Sequence, residues 1–214
     1  MMYGKERYSS EHNFSNMTTS DVCNIWDNSE CEGTVDCPPR CPRFFDKKGR
    51  PMMVREFNSN DYSSLIKMYN SLEVDDQTMG VPPQKTKALE QWLDYILSEG
   101  WNLIANHDDR IVGHGAVTPQ SEDEPEFVIF VHREYRDRGI GTELVKQVLA
   151  YTESMDYRNI VLDVAKTNQR AINVYESLGF DIVSETPMYK QMQMPLQKPD
   201  VQAFQQPPAD REAY

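Results

Sequence analysis

The chain has 214 residues, a hydrophobic fraction of 39% and a formal net charge of -12. This length suits one domain with a sizeable core plus extra segments, and no apolar run approaches the length of a membrane span. The acidic balance argues against binding nucleic acid through a basic surface, so we expect neither a nucleic-acid partner nor a membrane partner.

The negative charge leaves several interpretations open. A soluble acidic surface is the simplest, while attraction of a cationic substrate and adaptation to high internal salt are alternatives. The polar N-terminus lacks the apolar core of a signal peptide, so we expect a cytoplasmic protein. Composition does not indicate the oligomeric state, and a homodimer is an open alternative to a monomer.

The four cysteines of the chain lie together near the N-terminus. Residues 1–20 are polar and aperiodic, which is typical of disorder, and a Cys-rich segment follows at 21–50. In a reducing cytoplasm clustered thiols more often bind metal than form disulfides, and four thiolates suit tetrahedral zinc. The spacing departs from paired Cys-x-x-Cys knuckles, so free or redox-active thiols are the alternative. The candidate zinc ligands are Cys23, Cys31, Cys37 and Cys41.

Hydrophobic periodicity predicts one α/β (α+β) domain over 51–195 and a disordered, Pro/Gln-rich tail over 196–214. His114 lies in a predicted strand between two glycines, and a hydrogen-bonded sheet histidine is favoured there over a catalytic one. In chain order, the predicted elements are strand 51–57, helix 62–72, a helix with apolar residues from Leu89 to Leu97 that ends at Gly100, strands 101–106, 110–118 and 125–131, helix 140–155, strand 159–164, helix 168–178, and strands 180–183 and 188–194.

The stretch from Glu126 to Gly141 places a glycine-bearing loop between a buried strand and a helix. Such a loop directs backbone N–H groups and the positive end of the helix at one point, which suits an anion such as pyrophosphate. Glycines let a ligand approach the backbone closely and permit turns with positive φ. The alternative is an ordinary tight turn before a helix, since Gly-x-Gly alone is common.

Two motifs in a fixed order narrow this interpretation. Residues 136–141, RDRGIG, resemble the Arg/Gln-x-x-Gly-x-Gly/Ala signature of the GNAT superfamily of acyl-CoA N-acyltransferases. Residues 168–180, NQRAINVYESLGF, resemble the Asn…Ala…Tyr-Glu…Gly-Phe motif of the same superfamily. The resemblance covers the chain from about Met52 to Met194 and leaves out the N-terminal segment and the tail.

The resemblance implies a GNAT-like mixed, mostly antiparallel twisted sheet with a splayed central strand pair, flanked by helices on both faces. It also implies acetyl-CoA as co-substrate, with pyrophosphate on the glycine loop and the pantetheine arm along the central strand, where Asn168 reaches it from the other side. Arg136 and Arg138 would add positive charge near the pyrophosphate. The candidate cofactor-binding residues are Ile129, Phe130, Val131, Arg136, Arg138, Gly139, Ile140, Gly141, Thr142 and Asn168.

The implied reaction is direct transfer of an acetyl group to a primary amine, of a protein lysine or of a small molecule. Glu126, at the start of the central strand, is the candidate base, because a partly desolvated carboxylate has a raised pKa. A carboxylate that faces water is the alternative for this residue, and Glu122 and Glu124 are other candidates. Tyr175 matches the superfamily tyrosine that often lies near the CoA sulfur and is the candidate acid, with simple ring packing as its alternative.

The acceptor is less defined than the cofactor, because fold and cofactor motifs do not fix it. The pair Glu126-Phe127, which leads into the central strand, resembles the protein lysine acetyltransferase branch. A rival hypothesis is a non-catalytic acyl-CoA-sensing module that uses the Cys-rich segment to bind a metal or a partner. Steady CoA release with an amine-rich protein extract favours the enzyme, whereas binding without turnover favours the sensor.

Overall fold

The structure, a computed structural model, describes residues 43–72, 82–120, 124–155 and 157–204. The predicted disordered N-terminus and the four candidate zinc ligands lie outside these ranges, so both stay predictions. Within the described ranges, no helix combines the length and the apolar character needed to cross a membrane.

One eight-stranded sheet with helices on both faces organises the described residues. The strands, numbered along the chain, are β1 (Arg43–Phe45), β2 (Pro51–Glu56), β3 (Trp101–His107), β4 (Arg110–Pro119), β5 (Pro125–Val131), β6 (Asn159–Ala165), β7 (Asp181–Glu185) and β8 (Tyr189–Pro195). The helices are α1 (Tyr62–Asn70), α2 (Thr86–Glu99), α3 (Ile140–Ser154), α4 (Gln169–Ser177) and α5 (Pro199–Ala203). The strand order is β1-β2-β3-β4-β5-β6-β8-β7, and every neighbouring pair is antiparallel except β5 and β6. The predicted mixed, mostly antiparallel sheet is confirmed.

The two central strands, β5 and β6, separate soon after they meet. They run parallel, and their ladder consists of the single pair Glu126 and Val161. By contrast, β4 pairs with β5 from Pro125 to Val131. The side of β5 that faces β6 is therefore open beyond Glu126, which produces the splayed central pair that the resemblance implied.

Alternation along β5 divides the core between the two faces of the sheet. Phe127 belongs to a large apolar cluster with residues of α3, α4 and α5, and Ile129 and Val131 pack against that cluster. Phe130 belongs to a second cluster with residues of α1 and α2, against which Val128 packs. Successive side chains of a strand point to opposite faces, so one strand contributes to both layers of the fold.

The domain begins before the predicted boundary at residue 51. β1 pairs antiparallel with β2, and the turn between them, 46–49, has the sequence DKKG. The side-chain Oδ1 of Asp46 accepts hydrogen bonds from the N–H groups of Lys48 and Arg50, which fixes the turn. The boundary was wrong because a three-residue strand carries too little periodicity to separate it from the Cys-rich segment.

The predicted disordered tail is wrong for residues 196–204. Val201 is buried in α5, and Leu196 and Phe204 on either side of this helix are also buried in the cluster with α3. The Lys146 ammonium of α3 lies 5.3 Å from the centroid of the Phe204 ring. Three apolar residues spread over a Pro/Gln-rich stretch give no recognisable helical period, which explains the error.

A buried chain of polar groups ties α1 and α2 to the sheet. His114 in β4 is fully buried, with Nε2 3.1 Å from Asn102 Oδ1 and Nδ1 2.6 Å from the Tyr69 hydroxyl. The Asn102 amide donates to the carbonyls of Ile96 and Gly100, which leaves its Oδ1 as an acceptor. His114 is therefore neutral, with Nε2–H donating to Asn102 and Nδ1 accepting from Tyr69. This geometry supports the hydrogen-bonded sheet histidine expected from the sequence.

This buried histidine predicts how stability depends on pH. Burial lowers the pKa of His114 from its ordinary value of 6.5 to about 3. In the folded chain His114 therefore stays neutral at pH values at which the same residue is protonated in the unfolded chain. The free energy of unfolding thus decreases as pH falls below the pKa of the unfolded state. Between pH 8 and pH 5 we expect the wild type to lose about 2 kcal/mol more of its free energy of unfolding than His114→Gln, which cannot titrate.

Urea unfolding of both proteins at the two pH values measures this difference. The side chain of His114→Gln supplies a donor and an acceptor at the same position. Any change in packing should therefore lower the stability of the variant by the same amount at both pH values. Parallel pH dependence of the wild type and the variant would contradict a neutral, buried His114.

Candidate active site

The splayed end of the sheet opens into a cleft of about 590 Å³. Its walls come from β5, from the glycine loop and the first turn of α3, from the residues that follow β6, and from α4. Predicted site residues that line this cleft are Ile129, Phe130, Val131, Arg136, Gly139, Gly141, Thr142, Asn168 and Tyr175. The structure therefore brings residues of both sequence motifs and of the central strand to one place.

The glycine loop presents the N-terminus of α3 to the cleft. Asp137 and Gly139 have positive φ angles of 61° and 84°, a conformation that is easy for glycine and tolerated by aspartate. Gly139 is the N-cap of α3 and provides no side-chain cap. The first-turn N–H groups of Ile140, Gly141 and Thr142 thus have no intrahelical acceptor, and with the helix dipole they suit an anion. The Ile140 side chain is fully buried, so only its backbone can contact a ligand.

Asn168 begins α4 on the opposite wall of the cleft. Its side-chain Oδ1 accepts a hydrogen bond from the Ala171 N–H at 3.2 Å and thereby caps the helix. The side-chain amide nitrogen takes no part in this cap. Asn168 lines the cleft, and its contact with a cofactor stays a prediction.

The two arginines of the loop have different surroundings. Arg136 lines the cleft, and its side-chain Nε donates to the Val131 carbonyl at 3.2 Å. Arg138 is buried instead, with its guanidinium carbon 4.6 Å from the Tyr135 ring centroid and Nη1 3.7 Å from Asp46 Oδ2. It also donates to the backbone carbonyl of Glu134. These contacts correct the expectation that the Arg138 side chain adds charge to the cleft, because they hold it in the protein interior.

Tyr175 lines the cleft from α4 and is held by two other aromatic rings. Its ring centroid lies 5.8 Å from that of Phe127 and 5.7 Å from that of Phe180. Burial raises the pKa of the Tyr175 hydroxyl to about 12, so the hydroxyl is protonated at neutral pH and is a weaker acid than an exposed tyrosine. The packing contacts of the alternative interpretation are present, and the role of Tyr175 as a proton donor stays a prediction.

Glu126 lies where β5 and β6 diverge. It pairs with Val161 and is not among the residues that line the cleft. Its carboxylate is partly buried and accepts a hydrogen bond from the Gln120 side chain. Burial raises the Glu126 pKa, the hydrogen bond from Gln120 opposes that rise, and the negative charge of Asp163 adds to it. A raised pKa suits a general base, and this role of Glu126 stays a prediction.

The sequence did not predict two cationic residues of the cleft. Lys47 lines it from the turn between β1 and β2, and Arg170 lines it from α4. Arg170 Nε lies 3.2 Å from Asp137 Oδ1, which links α4 to the glycine loop. Arg170 lies inside the second motif, so its position in the sequence was a signal for it. Lys47 lies outside both motifs, and no local pattern connects it to the cleft.

Comparison with known families identifies the type of domain. A family model described as the acetyltransferase (GNAT) family matches residues 65–180, which is more than half of the chain. The probable N-acetyltransferase camello of Xenopus tropicalis is 30% identical over 92 residues, which cover 40% of this chain and 41% of that protein. The 5-NmdU N-acetyltransferase of Pseudomonas phage PaMx11 is 29% identical over 92 residues, which cover 42% of this chain and 63% of that protein. The match thus spans only part of the length of these curated relatives.

A solved structure shares the fold. The structure of a putative acetyltransferase from Salmonella typhimurium with its cofactor acetyl-CoA superposes with a TM-score of 0.58 at 17% sequence identity. The superposition covers 69% of this chain and 95% of that chain. At this identity, the likeness establishes the architecture of the described domain.

The different surroundings of the two arginines predict different effects of their removal. Arg138→Met leaves the buried Asp46 carboxylate without its ion-pair partner, and we expect a loss of about 3 kcal/mol in the free energy of unfolding. Arg136→Met is the matched control, because Arg136 lines the cleft and its Nε donates to the Val131 carbonyl instead of facing a buried carboxylate, and we expect a loss of about 1 kcal/mol. Urea unfolding at neutral pH measures both, and equal losses would contradict the structural role of Arg138.

Proposed function

The chain belongs to the acetyltransferase (GNAT) family, and from this we propose that it transfers an acetyl group from acetyl-CoA to a primary amine. The observation that carries the proposal is the cleft that joins an open strand edge to the N-terminus of α3. An acyl carrier with a pyrophosphate and an extended, amide-bearing arm matches both features. The fold shared with an acetyltransferase solved with acetyl-CoA supports this choice of ligand.

In the proposed complex, different residues of the cleft bind different parts of acetyl-CoA. The pyrophosphate accepts hydrogen bonds from the N–H groups of the glycine loop, and Arg136 adds positive charge. The pantetheine arm pairs with the backbone of Ile129 to Val131, as an added strand pairs with a sheet edge, and the Val131 carbonyl there also accepts a hydrogen bond from Arg136 Nε. Asn168 contacts the arm from the α4 side. The thioester then lies toward the end of the cleft where β5 and β6 meet.

The proposed chemistry is direct transfer in one site. The neutral amine nitrogen attacks the thioester carbonyl carbon, so that a C–N bond forms and the C–S bond breaks. Glu126 accepts the proton that the amine loses, and the Tyr175 hydroxyl donates a proton to the leaving thiolate. Holding both reactants in attack geometry lowers the barrier by roughly 7 to 11 kcal/mol in well-oriented cases, and a base adds about 100- to 10,000-fold.

The proposed acceptor is a cationic amine, either a protein lysine or a small molecule. Glu126 and Asp163 lie close enough for the Asp163 charge to raise the Glu126 pKa, and burial raises the pKa of Asp163 itself. Two neighbouring carboxyl groups attract an ammonium and can take its proton. The relatives described as N-acetyltransferases do not favour the non-catalytic sensor.

Acetyl-CoA binding tests the proposal at the glycine loop. A Cβ added to Gly141 would lie 3.7 Å from Val131 Cγ2, an ordinary contact, so the first side-chain atom of a substituted residue fits without strain. We expect Gly141→Glu to weaken acetyl-CoA binding by at least about tenfold, because its carboxylate occupies and repels the pyrophosphate site. Calorimetric titration measures the affinities.

Gly141→Ala is the matched control, since it adds the Cβ without the charge. It should retain most of the wild-type affinity. Absence of acetyl-CoA binding by the wild type, or equal binding by the Glu and Ala variants, would contradict the assignment of the loop.

The proton donor can be tested separately from cofactor binding. Tyr175→Phe keeps the ring that packs between Phe127 and Phe180 but removes the hydroxyl, so we expect kcat to fall about 10- to 100-fold with little change in acetyl-CoA affinity. Release of CoA thiol with an amine-rich protein extract and with polyamines measures turnover. Tyr157→Phe, outside the cleft, is the control.

Unchanged turnover in Tyr175→Phe would remove the hydroxyl from the mechanism. A wild-type protein that binds acetyl-CoA but releases no thiol with either class of amine would favour the sensor hypothesis instead.

A further inference from the structure

We propose that Lys47, in the turn between β1 and β2, binds a phosphate group of the CoA moiety. This inference rests on the proposed function, because it takes acetyl-CoA as the ligand of the cleft. It goes beyond that function because the turn lies before residues 65–180, the region that the family model matches. A segment outside the recognisable family signature would thus form part of the cofactor site.

Two contacts fix the turn to the glycine loop at Arg138. The Lys47 N–H donates to the Arg138 carbonyl at 3.0 Å, and the Asp46 carboxylate ion-pairs with the Arg138 guanidinium. Burial acts to raise the Asp46 pKa, but hydrogen bonds from the N–H groups of Arg50 and Lys48 and the nearby positive charges outweigh it and lower the pKa. Asp46 therefore stays ionised and holds its neighbour Lys47 against the loop.

The side chain of Lys47 crosses over the N-cap of α3. A Cβ built on Gly139 would lie 3.9 Å from Lys47 Cγ and 4.0 Å from Lys47 Cε. Both residues line the cleft. The ammonium is one bond beyond Cε, so it lies at the rim of the cleft beside the N–H groups that begin α3.

The charges around the rim favour Lys47 as a phosphate ligand. Arg170 is paired with Asp137, whereas the exposed Lys47 ammonium makes no ion pair or hydrogen bond with another described residue. A lysine ammonium is a compact charge on a flexible stem, which suits a phosphate whose position is not fixed by a rigid fork of donors. Its full positive charge adds to the partial charge of the α3 N-terminus at the same point.

The test is calorimetric titration of the full chain with CoA and with 3′-dephospho-CoA. Lys47→Met keeps the stem and removes the charge, and we expect CoA to bind it roughly three- to tenfold more weakly than the wild type. Lys48→Met is the matched control, since Lys48 is the next residue of the same turn, is exposed and does not line the cleft. Its affinity for CoA should stay within about twofold of the wild type.

The two ligands identify the phosphate that Lys47 contacts. Weakening for CoA alone assigns Lys47 to the 3′-phosphate, and equal weakening for both ligands assigns it to the pyrophosphate. Either result supports the inference. Ligand-free Lys47→Met should unfold in urea as the wild type does, because the Lys47 ammonium of the wild type has no partner among the described residues.

Three results would overturn the inference, and they differ in what else they overturn. If the wild type and Lys47→Met bind both ligands equally well, Lys47 has no role in binding while the proposed function stands. If the wild type binds neither ligand, the proposed function fails and the role of Lys47 fails with it. A loss of ligand-free stability in Lys47→Met that accounts for its weaker binding would also assign Lys47 a structural role instead.

Discussion

The divergence of β5 from β6 is the constraint on which the rest of the site depends. Backbone N–H and C=O groups at an open strand edge need partners, and beyond Glu126 β5 has no pairs with β6, while the Val131 carbonyl accepts a hydrogen bond from Arg136 Nε. Phe127, Tyr175 and Phe180 form an aromatic cluster that holds α4 against this strand. The packing that accompanies the open edge therefore also positions Tyr175 in the cleft wall.

Charge differs between this cleft and the place where β5 and β6 diverge. The whole chain is acidic, with a formal net charge of -12, yet Lys47, Arg136 and Arg170 line the cleft. Glu126 and Asp163 lie where the strands diverge, and Glu126 is five residues from the loop end of β5, about 17 Å along an extended strand. The proposed anionic cofactor and the proposed cationic acceptor would thus be attracted to different places, the cleft and the point where the strands diverge.

The parts of the fold that the sequence predicted are those with local periodicity or local turn chemistry. The apolar run of β5, the helical spacing in α2 and α3, and the glycines of the loop all depend on residues close together in the chain. The orientation of the Arg138 side chain was not predicted, because it depends on the ion pair with Asp46, which lies far away in sequence. A motif shows where a residue is in the chain, but the neighbour that competes for its side chain becomes visible only in the folded structure.

The same reasoning explains the errors at the domain ends. β1 contains three residues, and α5 has its few apolar side chains in a Pro/Gln-rich stretch. Both elements form because a larger surface is already present, the edge of β2 in one case and the apolar face of α3 in the other. Tertiary contacts therefore determine the secondary structure of these two segments, for which composition alone is ambiguous.

The hairpin formed by β1 and β2 has a practical consequence for recombinant production. A chain shortened to the family-matched region, 65–180, would lack this hairpin and would turn β3 into an edge strand open to pairing with other molecules. It would also leave Arg138 buried without the Asp46 carboxylate. The shortest chain suited to crystallisation or binding assays therefore starts no later than Arg43, well before the first recognisable motif.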